Sequence, residues 1–366
     1  MKAKEDTRRG TGLVICHGFF TEAVRPAILL RCPDVLRLAA WGRLGLGSEC
    51  LGLDDVVSHD HHWGPRVDVL VADDVLDQVL PMLLGPILDA LPSSYGGVDL
   101  APCRAAGTLL VPRGIGAFLC QTIGRPIPPE RASEWLDIPE EDAFHVVAGE
   151  VWEDEPAVVT GIRETFGAYY PDAVWFRRLA HWCRMASGAG VYALQRAVLR
   201  GNWCYAYSAF GRAMKLTMEL VFLLNRRYFP YDKWLYPLFQ RLPVLAPEMV
   251  PLFEQATARD AEWNLRIALI EQAHAMIDDY LVREGIIPEH PTFTRSSSAG
   301  YRLLEWCYRD LIRRVPEELR RHAPLTQQRF EEGTLGGIVA GFGDAFMRET
   351  FNLGFDNADH GVDVLQ

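Results

Sequence analysis

Apolar positions along the first half of the chain follow two different rhythms, and along the second half only one. Gly12–Leu30 carries apolar residues at helical spacing, whereas Leu36–Leu46 is a short apolar run that ends in Gly45-Leu46-Gly47-Ser48. The first predicts a helix and the second a strand running into a tight turn. Val67–Val71 is rich in β-branched residues and predicts a second strand, followed by a helical stretch over Asp73–Leu91. Val146–Trp152 predicts a third strand, stopped by Glu153-Asp154-Glu155-Pro156. Strands interleaved with helices predict layers of sheet and helix. From about Arg163 onward, long stretches such as Ala173–Met185, Gly190–Ala209, Gly211–Tyr228 and Ala261–Arg283 keep apolar residues three and four apart, with no convincing strand. They predict a bundle of helices. The expected fold is therefore α+β. A mixed sheet with helices occupies residues 1–160 and an all-helical domain occupies 161–366, with the boundary near residues 155–165. Thr292–Gly300 reads as a polar loop, and the tail after Asn352 as loosely ordered.

Composition supports two cores. The chain has 366 residues, 49% of them hydrophobic and 11% aromatic, which is enough to bury both parts. The N-terminal ten residues are charged, and no run of about 18 uncharged apolar residues occurs, so neither export nor a membrane span is expected and the location is read as cytoplasmic. The eight cysteines are scattered with no CxxC pair, which predicts reduced thiols rather than disulfides or a structural zinc site. Residues 1–155 hold 24 Asp and Glu against 13 Lys and Arg, while the remainder holds 24 of each, so the whole net charge of −11 lies in the first half. Such a half disfavours general nucleic-acid binding and suits divalent cations. A plain solvated acidic surface explains the asymmetry equally well.

The segment from Gly45 to Arg66 holds the most chemistry. Gly47-Ser48 is followed by eleven residues and then Asp60, and two residues beyond that by His62. Nucleotidyltransferases of the polymerase-β type share a similar pattern: a strand ending in Gly-Ser, then a strand bearing Asp, one residue, and Asp or Glu. The glycine admits a triphosphate, the serine donates to it, and the carboxylates share a strand face, where they hold magnesium. Here His62 stands where the second carboxylate belongs. A neutral imidazole brings less charge and suits transition metals better. A third carboxylate is then needed on a later strand, as ligand and as general base; Glu150 is the candidate and Asp68 the competitor. His59 and His61 also suggest an HxH metal pair, though no matching distant ligands are found. In the helical half, Arg226–Trp234 mixes cations with aromatic rings. It includes Lys233, which suits a phosphate, but its aromatics read equally well as core.

Four stretches, Gly47–Asp55, Ser58–Arg66, Gly149–Trp152 and Arg226–Trp234, resemble the domain-of-unknown-function family 4037, which is grouped with the nucleotidyltransferase fold. The similarity runs from about residue 12 to residue 260. The resemblance implies a helical domain closing over a nucleotide cleft. It also implies metal-dependent transfer of a nucleoside monophosphate from a nucleoside triphosphate, expected to be ATP, to a hydroxyl or amine of a small molecule or protein. On this reading Gly47, Ser48, Arg66 and Lys233 bind the nucleotide. Asp60, His62 and Glu150 bind Mg²⁺, with Mn²⁺ as the alternative, and Asp60 and Glu150 are catalytic. The competing expectation is a binder on the same fold that has lost transfer chemistry.

Overall fold

A computed structural model describes residues 12–55, 57–58, 63–289 and 301–322. Asp60 and His62, with His59 and His61, lie outside the described residues, as do the Thr292–Gly300 loop and the tail after Asn352. The chain divides into two compact units. One comprises residues up to Pro128 together with Asp142–Ala168, and the other Pro129–Glu141 together with Tyr169 onward. The division is not a single cut, because the helical unit takes a short stretch from within the first half.

The first unit is built on a mixed four-stranded sheet. Its strands are β1 (Ala39–Leu44), β2 (Val67–Val71), β5 (Leu110–Gly114) and β6 (Gly149–Asp154), in the order β5-β2-β1-β6. β1 runs antiparallel to both β2 and β6, and β2 runs parallel to β5. A two-stranded hairpin, β3 (Ser94–Tyr95) with β4 (Val98–Asp99), stands apart from the sheet. The two central strands are buried at every position, which is why their sequences read as nearly continuous apolar runs. Gly149 has φ 76°, and a Cβ there would strike the backbone carbonyl of Arg43. Glycine at this position lets β6 lie close against β1.

The predicted helix over Gly12–Leu30 forms as Gly12–Arg31, with a π-helical turn at Phe20–Val24. Phe19, Phe20, Val24 and Ile28 from this helix pack with Trp41, Val67, Val69 and Val71 of the sheet in one apolar core. The Phe20 and Trp41 rings stack with centroids 5.9 Å apart. The helix is 20 residues long with mean hydropathy 1.5, long and apolar enough by those measures to cross a membrane. Its buried face covering the sheet gives that apolar character a use within the fold.

The second unit is helical throughout its described residues. Asp172–Met185, Trp203–Leu224, Trp263–Arg283 and Tyr301–Arg313 pack together as a bundle. Trp203–Leu224 runs straight through Gly211, where the sequence suggested a break. The break falls earlier, at Gly201 (φ 65°), and Asn202 caps the new helix by accepting from the Tyr205 amide at 3.3 Å. Arg178 fastens the stretch 129–141 to this bundle. Its Nη2 donates to the Trp135 and Ile138 carbonyls at 2.8 and 2.7 Å, its Nε lies 3.5 Å from Glu140, and its guanidinium covers the Tyr170 ring.

Candidate functional site

β1 leaves the sheet through Gly45 (φ 84°) and Gly47 (φ 131°) and enters a short 3₁₀ turn, Glu49–Leu51, whose preceding residue is Ser48. A side chain at Gly47 would meet the Glu49 carboxylate, 2.6 Å from the Cβ position, in a backbone conformation that L residues rarely adopt. Ser48 spends its carbonyl on the Leu51 and Leu53 amides, both at 3.1 Å, and its hydroxyl makes no hydrogen bond among the described residues.

Arg43 fixes this turn from beneath. It is a charged residue inside a buried strand, only 3% exposed. Its guanidinium donates to the Leu44 and Leu46 carbonyls at 3.0 and 2.9 Å, to Asp68 Oδ2 at 2.9 Å, and to the Glu49 carboxylate. Asp68, on β2, is fully buried. Its Oδ2 also accepts from the Leu44 amide at 3.0 Å, and its Oδ1 accepts from Arg66 Nη2 at 2.8 Å and Arg113 Nη2 at 3.2 Å. Burial alone would push the Asp68 carboxyl up. The guanidinium groups of Arg66, Arg43 and Arg113 outweigh it and hold the carboxyl below its usual value. Asp68, the competitor for the third carboxylate, is thus engaged by three arginines.

Glu150 sits on β6, which is an edge strand, with its backbone paired to Arg43. β6 also packs against the turn Glu49–Leu51. The Glu150 carboxylate is exposed and accepts a hydrogen bond from Trp152 Nε1 at 3.0 Å. Beside it lies an open cleft of about 600 Å³, lined by Glu150, Trp152, Asp154, Thr160, Arg163 and Glu164 among others. Arg163 holds the start of β6 in place by donating to the carbonyls of Val146, Val147, Ala148 and Gly149 at 2.9–3.0 Å. The segment that contains Asp60 and His62 is anchored at its described ends. Asp54 Oδ2 accepts from the Gly12 amide at 2.6 Å and from Trp63 Nε1 at 3.1 Å. Among the described residues no three His, Cys, Asp or Glu side chains stand close enough to hold a metal ion.

Arg66 adopts a position that sequence reading did not foresee in detail: both its Nε and Nη2 face Asp68 Oδ1, at 3.3 and 2.8 Å. Arg113 and Arg43 were not foreseen at all. The signal for Arg43 was present, since a lone cation in Ala-Ala-Trp-Gly-Arg-Leu needs a buried partner. Arg113 gave no such signal. In the helical unit, Lys233 is exposed in the first turn of helix Asp232–Phe239, with Nζ 4.8 Å from the Trp234 ring. Tyr228, Phe229 and Trp234 of the same motif are buried, so its aromatics serve the core. Arg226 pairs with Asp172 at 2.7 Å and lies over Trp175, and Lys215 pairs with Asp232 at 2.6 Å.

No curated protein matches this chain. Among solved structures, it is similar to a nucleotidyltransferase-like protein from Exiguobacterium sibiricum at 10% identity and TM-score 0.35, over 79% of this chain and 89% of that one. Residues 135–235 match the family described as "Domain of unknown function (DUF4037)". They span β6 and the helices from Asp172–Met185 through Trp203–Leu224, and contain both Gly149–Trp152 and Arg226–Trp234. Over that stretch the chain is similar to DUF4037, whose description attaches no activity to the family.

Proposed function

We propose that this protein transfers a nucleoside monophosphate from ATP to a hydroxyl or amine on a small molecule or a protein side chain. The observation that carries the reading is the anchored turn at the end of β1. Gly47 holds a backbone conformation that L residues rarely adopt, the Ser48 hydroxyl is uncommitted among the described residues, and Arg43 holds the turn from below. A preorganised turn of this kind meets a phosphate without having to be ordered first. The sequence spacing of Asp60 and His62 from this turn supports the same reading.

Asp60, His62 and Glu150 would hold the divalent cation. Two carboxylates and one imidazole suit Mn²⁺ at least as well as Mg²⁺. When bound, the cation supplies positive charge to the phosphates. The chain's own groups do the rest. Ser48 and the Gly47 backbone orient the triphosphate, and Arg66 offsets its charge. Glu150 takes the proton from the acceptor hydroxyl or amine as that atom bonds to the α-phosphorus, and pyrophosphate leaves. The hydrogen bond from Trp152 Nε1 orients the Glu150 carboxylate for that role.

Calorimetry of the full chain with ATP and either Mg²⁺ or Mn²⁺ tests this. Metal is expected to tighten binding, an effect lost in Asp60→Asn, and Lys233→Ala is expected to weaken binding without loss of fold. Absence of nucleotide binding with both metals removes the reading. His62 supports a second one, a nucleotide binder that no longer transfers, because it stands where a carboxylate belongs. Metal-dependent binding with no turnover on any acceptor pool, in the wild type and in His62→Asp alike, favours the binder.

A further inference from the structure

Arg66 and Arg113 reach the same atom from different strands. Arg66 immediately precedes β2, Arg113 lies on β5, and both donate to Asp68 Oδ1. Two guanidinium groups on one carboxylate oxygen is an imbalance, and the wider cluster shares it. Among the described residues Arg43, Arg66 and Arg113 pair with Asp68 and Glu49 alone, which leaves one positive charge in excess. The excess arises in the half of the chain that is otherwise strongly acidic. Arg43 is closed off, but the side chains of Arg66 and Arg113 remain 22% and 23% exposed. Each guanidinium has five N–H donors and spends only one or two on Asp68. Arg113 Nε is buried and makes no hydrogen bond among the described residues, a costly state for a cationic donor. Burial, with the nearby cations Arg66 and Arg43, disfavours the charge on Arg113, and Asp68 only partly compensates.

A tetrahedral oxyanion resolves all of these at once. It neutralises the excess charge and accepts from both forks in the bidentate manner that arginine favours. We propose that Arg66 and Arg113 form a two-arginine clamp for the phosphate tail of the nucleotide, with Asp68 as the positioning residue that holds the two forks side by side. This deepens the nucleotidyl-transfer reading, on which it rests for the identity of the ligand, and adds a residue that lies 65 positions beyond Ser48 and outside the Gly-Ser-to-Asp motif.

The test uses inorganic tripolyphosphate as probe, titrated into the full chain by calorimetry without metal, and ATP with Mg²⁺ in parallel. Tripolyphosphate should bind, and Arg113→Gln should weaken it about tenfold or more, the loss of one charge-assisted contact. Arg113→Lys retains a cation against Asp68 and so protects the fold, yet lacks the fork and should also bind more weakly. Arg212→Gln, on an exposed stretch of the helical unit, should leave binding unchanged. A folded wild type that ignores tripolyphosphate, or equal affinities in the wild type, Arg113→Gln and Arg113→Lys, overturns the clamp. If ATP with Mg²⁺ binds, depends on Ser48 and ignores Arg113, the clamp falls and the transfer reading stands. If tripolyphosphate binding depends on Arg113 while ATP does not bind under any condition, the anion site stands and the transfer reading falls.

Discussion

The two units each bury a charged cluster, and the clusters differ in what they leave over. In the helical unit, Arg178 and Glu140 are sealed, and Arg178 directs its donors to two backbone carbonyls. Tyr169, Tyr170 and Tyr228 surround them, and burial raises all three phenols above their usual value. That cluster is a latch: Arg178 Nη2 closes on the chain itself. In the sheet unit, Arg43 plays the same part toward the Gly45–Ser48 turn, but Arg66 and Arg113 retain exposed donors. Burying a charge costs free energy that only partners repay. A cluster whose guanidinium groups reach solvent at the rim of an open turn therefore points to a ligand, and one sealed from solvent to architecture.

The largest expected effect breaks the sheet-unit cluster. Asp68→Asn removes a carboxylate shared by three guanidinium groups and should cost about 3–5 kcal/mol of unfolding free energy, measured by chemical denaturation at neutral pH. Because the folded carboxyl is held below its usual value, its contribution is fully present above that value and is lost as pH falls through the folded one. The gap between wild type and Asp68→Asn should therefore close in acid. A gap that does not change with pH would show the cluster to be uncharged in effect. A slightly smaller loss, about 3 kcal/mol, is expected for Arg178→Met, since methionine keeps much of the packing. Its distinguishing mark is that tripolyphosphate binding should survive, as a latch has no part in ligand capture. Loss of that binding would blur the distinction drawn between the clusters.

The smallest effect has the opposite sign. Burial lifts the Asp142 carboxyl to about 6. A raised carboxyl destabilises the folded state when ionised, so the penalty is fully present above pH 6 and fades as pH falls toward the ordinary value. Asp142→Asn should stabilise by about 1 kcal/mol at pH 8 after allowing for partial solvent access, and by nothing measurable near pH 4. Thermal melts at the two pH values check it.

Much of the fold was legible because period and burial agree. β1 and β2 are nearly continuous apolar runs whose rhythm differs from that of the long helices, whereas β6 begins three residues later than expected because Val146 and Val147 end a helix. β5 was not legible. Leu110-Val-Pro-Arg-Gly114 contains Pro112, which argues against a strand; the strand forms because it sits at the sheet edge, where a missing amide is tolerated. Missing β5 meant missing Arg113. Arg66 was chosen for its place in a motif, whereas its partner is visible only once β2 and β5 pair. The early break proposed at Gly211 failed for a related reason: glycine in a long helix costs only about 1 kcal/mol, and burial of 14 of the 22 residues in Trp203–Leu224 overrides it. The aromatics of Arg226–Trp234 stayed undecided between ligand and core because sequence alone does not tell an inward ring from an outward one.

The assignment of Pro129–Glu141 to the helical unit has a consequence for how the gene can be divided. The polypeptide leaves the sheet unit after Pro128, returns at Asp142 and leaves again after Ala168, so it passes between the two bodies three times. No single cut yields two self-sufficient halves. A fragment ending at Pro128 lacks β6, and with it Glu150 and the strand that Gly149 seats against β1. A fragment ending at Ala168 completes the sheet but carries Trp135 and Ile138 with carbonyls that Arg178 no longer fills. On the ribosome, β6 emerges some thirty-five residues after β5, so the sheet waits for a stretch that belongs to its neighbour before its last strand can close. The two bodies are in this sense interleaved in time as well as along the chain, and inherited changes in one are constrained to keep the other's inserted segment in register.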